Sequence, residues 1–334
     1  MSPPNLPPAT RTLPYGEAAI AEAAALIAAG AVVAIPTETV YGLAADATES
    51  RAVAGVYAAK GRPSFNPLIV HVLDRAAAEA IAVFDEDAGA LADAFWPGPL
   101  TLVVPLRADA GIASLVTAGL DTIAIRVPAH RAMRALLTAT GKPLAAPSAN
   151  ASGAISPTRA THVLASLGGR IPLIVDAGAT EAGLESTIVM TGGGVRILRP
   201  GPITADDISR LFPGEGRGPV TMTSDTGPAS DALSPGKKII TAPGQLESHY
   251  APAKPLRIEA RDRHPDEWLI GFDTVSGDDT LSATGDLTEA AAALFSALYR
   301  ADASGKPRIA VAPVPETGLG VAINDRLRRA AHRD

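Results

Sequence analysis

Lys60 and Arg62 flank a glycine in KGRPSFNPLIVH at Lys60–His71, and Asn66 follows closely. A guanidinium offers a fixed fork of donors and an ammonium a mobile point charge, so together they suit the oxygens of a polyphosphate. Cations at the end of a helix also gain from its dipole, and a solvated helix terminus is the plainer reading. No GxxxxGK[ST] string settles the choice. Thr37, Glu38 and Thr39 in PTETVYGL, Pro36–Leu43, stand where an apolar run ends; they either close a turn or hold a small polar ligand. His71 in LIVHVL is a core histidine with one partner or a ligand contact, and no second histidine at metal-ligand spacing supports zinc. Arg126 is an isolated charge in TIAIRVP. Its burial requires an anion, unless an edge strand lets its head reach water. Ser148 and Asn150 in SAN, then Ser156, and the trio Glu185, Ser186 and Thr187 supply short polar groups. These satisfy turns, or approach phosphate oxygens and a bound cation. Their recurrence at strand ends favours one shared crevice.

The elements that position these residues alternate. An alanine-rich helix over Gly16–Ala29 precedes a strand at Ala31–Ile35, and a helix over Thr48–Lys60, stopped by Gly61, precedes a strand at Leu68–Val72. A helix over Asp85–Phe95 leads to a strand at Thr101–Leu106, and a strand at Thr122–Pro128 leads to a helix ending near Ala139. The small residues of Pro143–Thr158 read as a site loop, with Ser156 and Pro157 as N-cap and first turn of a helix reaching Leu167. Two more strands follow at Pro172–Val175 and Ser186–Met190, then a tight glycine run and RILRPG at Arg196–Gly201. This order predicts an α/β layered domain ending near Phe212. Residues 213–255 hold 7 Pro and 6 Gly in 43 residues and predict an extended linker, whose HYAPAKP end, His249–Pro255, can order against a partner surface. Beyond it, PLRIEA, WLIGFD and RIAVAPV are strands, Asp286 caps a helix through Tyr299, and Leu319–Ala331 is a last helix.

The 334 residues suffice for two cores, and a net charge of −6 argues against a generally basic nucleic-acid-binding surface. There is no cysteine, which excludes disulfides, thiolate chemistry and cysteine metal sites. The N-terminal MSPPNLPPATRTLPYG lacks a cationic segment followed by an apolar core and reads as a disordered arm. The apolar stretches are too short to span a bilayer, so the expected location is the cytoplasm.

In their order, PTETVYGL, KGRPSFNPLIVH, TIAIRVP, PSAN, SGAISPT, ESTIV, RPG, HYAP and GLGVAINDRLRRAA resemble the L-threonylcarbamoyladenylate synthase family in its long two-domain form. The resemblance covers both domains and the linker. It implies an open twisted mixed sheet domain with helices, plus a smaller C-terminal α/β Rossmann-like domain. It also implies a catalytic domain over 1–212, a linker and active-site lid over 213–255, and a small domain over 256–334. The implied reaction joins L-threonine, bicarbonate and ATP, with Mg2+, into L-threonylcarbamoyladenylate, diphosphate and water. Its product supplies tRNA adenosine 37 through threonylcarbamoyl-transfer proteins, and tRNA itself is a further candidate partner. Carried onto this chain, Thr37, His71, Arg126, Ser186 and the backbone of Ala146 surround threonine. Lys60, Arg62, Asn66, Thr122, Ser148, Asn150, Ser156, Arg199 and Tyr250 meet ATP, and Lys60, Arg62, Ser148 and Asn150 carry the catalysis. No dedicated metal cluster is implied; Mg2+ rides on the phosphates. Residue chemistry alone leaves two competitors, another amino-acid-activating nucleotidyltransferase and a nucleic-acid-binding module.

Overall fold

Apolar side chains alternate between the two sides of each strand at the centre of the chain, so the sheet is covered on both faces. The computed structural model describes residues 9–212, 221–222, 242 and 249–332. Its larger sheet contains β1 (Arg11–Pro14), β2 (Val33–Pro36), β3 (Tyr41–Asp46), β4 (Ile69–His71), β5 (Leu100–Pro105) and β6 (Thr122–Arg126). It continues with β7 (Leu144–Ala145), β8 (Leu173–Asp176), β9 (Thr187–Met190), β10 (Arg196–Arg199) and β11 (Thr221–Met222). The order across the sheet is β1-β8-β2-β3-β7-β4-β6-β5-β9-β10-β11. Parallel pairs (β1 with β8, β4 with β6, β5 with β9) alternate with antiparallel ones (β2 with β3, β5 with β6), making an open mixed sheet.

Val33, Ile35 and Ala44 pack with the helices Glu17–Ala28 and Arg131–Thr140 on one face. Ala34, Leu43, Val70, Ile123 and Ile125 pack with the helices Ser50–Lys60 and Glu86–Phe95 on the other. Because of this alternation, His71 and Arg126 emerge on the face opposite Val70 and Ile125, and the β4–β6 register sets them side by side. The smaller sheet is wholly parallel, with β12 (Leu256–Arg257), β13 (Glu267–Gly271), β14 (Asp279–Thr280) and β15 (Arg308–Val311) in the order β12-β15-β13-β14. The helices Leu287–Ala303 and Leu319–Ala331 complete this α/β domain, and their apolar faces share one core with Val40, Ile155, Leu184 and Tyr250 of the rest of the chain. No helix among the described residues is long and apolar enough to cross a membrane.

Several expectations are corrected. Arg11–Pro14 is an edge strand on β8 and not part of a disordered arm; residues 1–8 lie outside the described residues. The expected site loop over Pro143–Thr158 begins with Leu144–Ala145, a strand between β3 and β4. Ser156 is not an N-cap. The Pro157 carbonyl accepts the Tyr41 N–H (2.8 Å), which keeps the chain extended there, and the helix starts later at Ala160 with Arg159 as its N-cap residue. The linker expected over 213–255 lies outside the described residues except for 221–222, 242 and 249–255.

Candidate active site

The hairpin between β2 and β3 delivers the first cluster. Thr37 Oγ1 accepts the N–H groups of Thr39 and Val40 (3.2 and 3.3 Å) and lies 2.7 Å from the Val40 carbonyl, a hydroxyl-stapled turn. Glu38 leaves this tip to meet Arg126 Nη2 (2.5 Å), while Arg126 Nη1 donates to Thr39 Oγ1 (2.9 Å) and Nε to the Gly98 carbonyl (3.1 Å). Arg126 sits on an interior strand and is 3% exposed, so the edge-strand alternative fails. The anion its burial requires is present as Glu38. Burial raises the Glu38 carboxyl, but the Arg126 charge and hydrogen bond, with the Ala129 N–H, hold it below its ordinary value. Beside Arg126, His71 is pushed down to about 3, by burial first and the Arg126 charge second, and is therefore a neutral imidazole.

The second cluster follows the helix Ser50–Lys60. Gly61 adopts φ +61°, the left-handed turn that ends the helix, and the Arg62 N–H closes on the Tyr57 carbonyl (3.0 Å). Neither cation is a solvated helix terminus, since Lys60 is 3% and Arg62 9% exposed. Lys60 Nζ donates to the carbonyls of Ser148 (2.6 Å) and Asn150 (2.5 Å), tying helix and SAN segment together. Arg62 donates to the carbonyls of Asn66 (3.2 Å) and Pro67 (2.9 Å). Burial lowers the Lys60 ammonium well below its usual range, with Arg62 adding repulsion, and brings Arg62 itself to about 10. On the far side, Arg199 holds the Ser186 carbonyl (2.8 Å) and hydroxyl (3.1 Å), and Thr101 shares that hydroxyl (2.8 Å).

A cavity of about 50 Å³ joins these clusters. Thr37, His71, Arg126, Ala146 and Ser186 all line it, as do Arg62, Ser148, Arg199 and Tyr250. Lys60, Asn66, Asn150 and Ser156 do not line it, and neither does Thr122, at the far end of β6 from Arg126. Four of the lining residues carry a buried polar atom with no partner, His71 Nδ1, Glu185 Oε1, His249 Nδ1 and the Tyr250 hydroxyl, and Asn66, Asn150 and Ser156 carry such atoms outside the lining. Orphaned buried groups are costly, and their gathering at one crevice is what a polar ligand site requires. The competing nucleic-acid module needs Lys60, Arg62 and Arg126 on an open surface, and all three are buried.

Sequence reasoning missed Arg326. From the C-terminal helix it donates to Glu185 Oε2 (2.9 Å) and the Pro200 carbonyl (2.8 Å), and its guanidinium lies 5.3 Å from the centre of the Tyr250 ring. The signal was available: Arg326 shares the buried helix face of Ile323, Leu327 and Ala330. A charge in that position needs a buried anion.

An open mixed sheet with buried cations and unpartnered polar groups at one strand-end crevice defines an α/β protein with a buried site for a small polar, anionic ligand. The family model described as "Telomere recombination" (Sua5, YciO and YrdC proteins) matches residues 25–201, and the model "Threonylcarbamoyl-AMP synthase, C-terminal domain" matches 203–332. A threonylcarbamoyl-AMP synthase of Bacillus subtilis is 40% identical over 96% of this chain and 95% of its own length. The crystal structure of Pyrococcus abyssi Sua5 complexed with L-threonine superimposes with a TM-score of 0.83 at 35% identity, covering 96% of each chain. A shorter Mycobacterium tuberculosis relative, 39% identical, covers 58% of this chain and 88% of its own. The chain belongs to the Sua5/YrdC family of threonylcarbamoyl-AMP synthases, in the form that carries the second, C-terminal domain.

Proposed function

We propose that this crevice is where the chain converts L-threonine, bicarbonate and ATP to L-threonylcarbamoyl-AMP, diphosphate and water for tRNA modification. Thr37, His71, Arg126, Ala146 and Ser186 take the amino acid, and Lys60, Arg62, Asn66, Ser148, Asn150, Ser156, Arg199 and Tyr250 take the nucleotide, with Thr122 toward its outer end. The observation that carries the reading is the coincidence of buried cations and orphaned polar atoms around one cavity, in a member of this family.

The threonine ammonium first releases a proton to solvent, the free amine adds to bicarbonate with loss of water, and an oxygen of the resulting carbamate attacks the α-phosphorus of ATP as diphosphate leaves. Lys60, Arg62 and Arg199 are fixed in advance by carbonyl acceptors, so their charge is in place as negative charge develops on the leaving group. Neutral His71 and the turn hydroxyl of Thr37 orient the amino acid without adding charge. Tyr250 and His249 close the cavity and keep water from the carbamate and the mixed anhydride. As for Mg2+, there is no cluster of three or more His, Asp or Glu placed to hold a metal among the described residues, and Glu38 faces Arg126. Mg2+ supplied with ATP would ride on its phosphates, where it would neutralise charge on the leaving diphosphate, and no step is routed through it. Transfer proteins that take the product to tRNA are the partners this function requires. The division at 212 and 255 into catalytic domain, lid-bearing linker and C-terminal domain is part of the same proposal.

Purified chain supplied with ATP, L-threonine, bicarbonate and Mg2+ is expected to release diphosphate only when every substrate is present. Turnover without threonine or without bicarbonate would overturn this reading, and equal turnover with other amino acids would favour a general amino-acid-activating nucleotidyltransferase.

A further inference from the structure

An α-amino acid enters its site as a zwitterion, so the site needs donors for the carboxylate and an acceptor for the ammonium, best supplied as a charge. Donors abound in this crevice, because Arg62, Arg126 and Arg199 all line it. Among the lining residues Glu185 is the one carboxylate. It is 6% exposed, and its two oxygens are in different situations. Oε2 accepts Arg326 Nε at 2.9 Å, whereas Oε1 is buried with no partner. An ionised carboxylate accepts several hydrogen bonds, so the free oxygen retains its capacity.

The hold on Oε2 comes from the other domain. Arg326 is fully buried and fixed by the Pro200 carbonyl (2.8 Å). It also meets Asp325 Oδ2 (2.8 Å), which divides its charge between two carboxylates, while Asp325 in turn takes Arg329 Nε (3.0 Å). Glu185 is therefore oriented by Arg326 without being its sole counter-ion. It directly precedes Ser186, whose hydroxyl is fixed by Thr101 and Arg199, so the acceptor stands on a rigid strand entrance.

We infer that Glu185 Oε1 receives the ammonium group of the amino-acid substrate and that Arg326 of the C-terminal domain is the positioning residue that aims it; this rests on the function proposed above. Amino-acid binding then depends on how the second domain is docked, although that domain supplies no residue to the crevice lining itself.

The test measures, by calorimetry on the full chain, binding of L-threonine and of 3-hydroxybutyrate, which has the same skeleton without the amine. Glu185→Gln is expected to weaken threonine about 30-fold, as for losing one partner of a buried charged hydrogen bond, and to change 3-hydroxybutyrate by no more than about twofold. Arg326→Lys, which keeps the charge and loses the fork, should show the same selectivity with a smaller loss. If Glu185→Gln does not fold, Glu185→Asp, with its carboxylate withdrawn by one methylene, is measured in the same way with the same split expected. Equal losses for both ligands would assign Glu185 a structural role and overturn the inference, as would wild-type threonine affinity in the variant or equal affinity of the wild type for the two ligands. A wild type that binds threonine beside a variant that matches it fails this inference alone; a wild type that binds no threonine fails the proposed function with it.

Discussion

Glu38 and Arg126 show how one residue type serves two purposes at once. The guanidinium is buried on an interior strand, and Glu38 supplies the compensating charge while two backbone N–H groups, of Ala129 and His130, fix its other oxygen. Removing the carboxylate leaves Arg126 uncompensated, which for a buried pair costs about 3 kcal/mol or more. The pH dependence has a definite sign. The Glu38 carboxyl is held below its ordinary 4.5 in the folded chain, so the unfolded chain takes up the proton first as pH falls. The stabilisation is complete above about 4.5 and is lost as pH drops through the lower folded value. Glu38→Gln is therefore expected to lower the urea unfolding midpoint at neutral pH, with the gap to wild type closing progressively in acid. A gap that stays constant with pH would show that Glu38 contributes packing and not charge.

At the scale of elements, the segment Gly183–Ser186 connects domain docking to the crevice. Gly183 has φ +67°, and a Cβ there would stand 2.5 Å from Ala292 Cα and 2.8 Å from its carbonyl oxygen on the helix Leu287–Ala303. Gly183→Ala combines left-handed strain with overpacking and is expected to destabilise by about 2 to 4 kcal/mol. It should also raise KM for threonine, since Glu185 and Ser186 must shift; an unchanged melting temperature and KM would show that the helix yields instead. The elements legible in the sequence were those with a strong local pattern, such as β4 and β6, where a short apolar run is broken by a single His or Arg. Tyr41–Asp46 was not legible as a strand because YGLAAD lacks β-branched residues, and its pairing comes from β2 and β7. Ser156 and Pro157 gave a valid local helix-start signal, which the start of β3 overrode through the Tyr41 N–H. The polar crevice was legible because its residues recur at strand ends. Arg326 was not, because its carboxylate partner lies 141 residues away in the chain.

Over the whole molecule, His249 and Tyr250 complete the crevice lining, and the C-terminal helices pack behind Tyr250. The Ala251 N–H donates to the Gly153 carbonyl (2.8 Å) and the His249 N–H to the Arg329 carbonyl (3.3 Å), so the His249–Ala251 segment bridges the two domains. Tyr250 takes φ +63°, lies 5.7 Å from the Phe295 ring and contributes to the cavity lining. With these residues in place about 50 Å³ remains, whereas pockets for ligands of nucleotide size run to several hundred. We propose that ATP enters by withdrawal of His249 and Tyr250 and that their return over the nucleotide gives the unpartnered Tyr250 hydroxyl and His249 Nδ1 something to bind. Withdrawal breaks these two backbone hydrogen bonds, the aromatic contacts and the Arg326 contact, and uncovers the buried Tyr250 ring, the kind of local opening by which lids gate ligand entry. Trypsin has sites at Arg217, Lys237 and Lys238 in the linker. Saturating ATP is expected to slow cleavage there relative to the free chain, and threonine added with ATP to slow it further, because both ligands lie beneath the same closure. Cleavage unchanged by ATP would mean that nucleotide enters by another route and that Tyr250 is a fixed wall of the crevice.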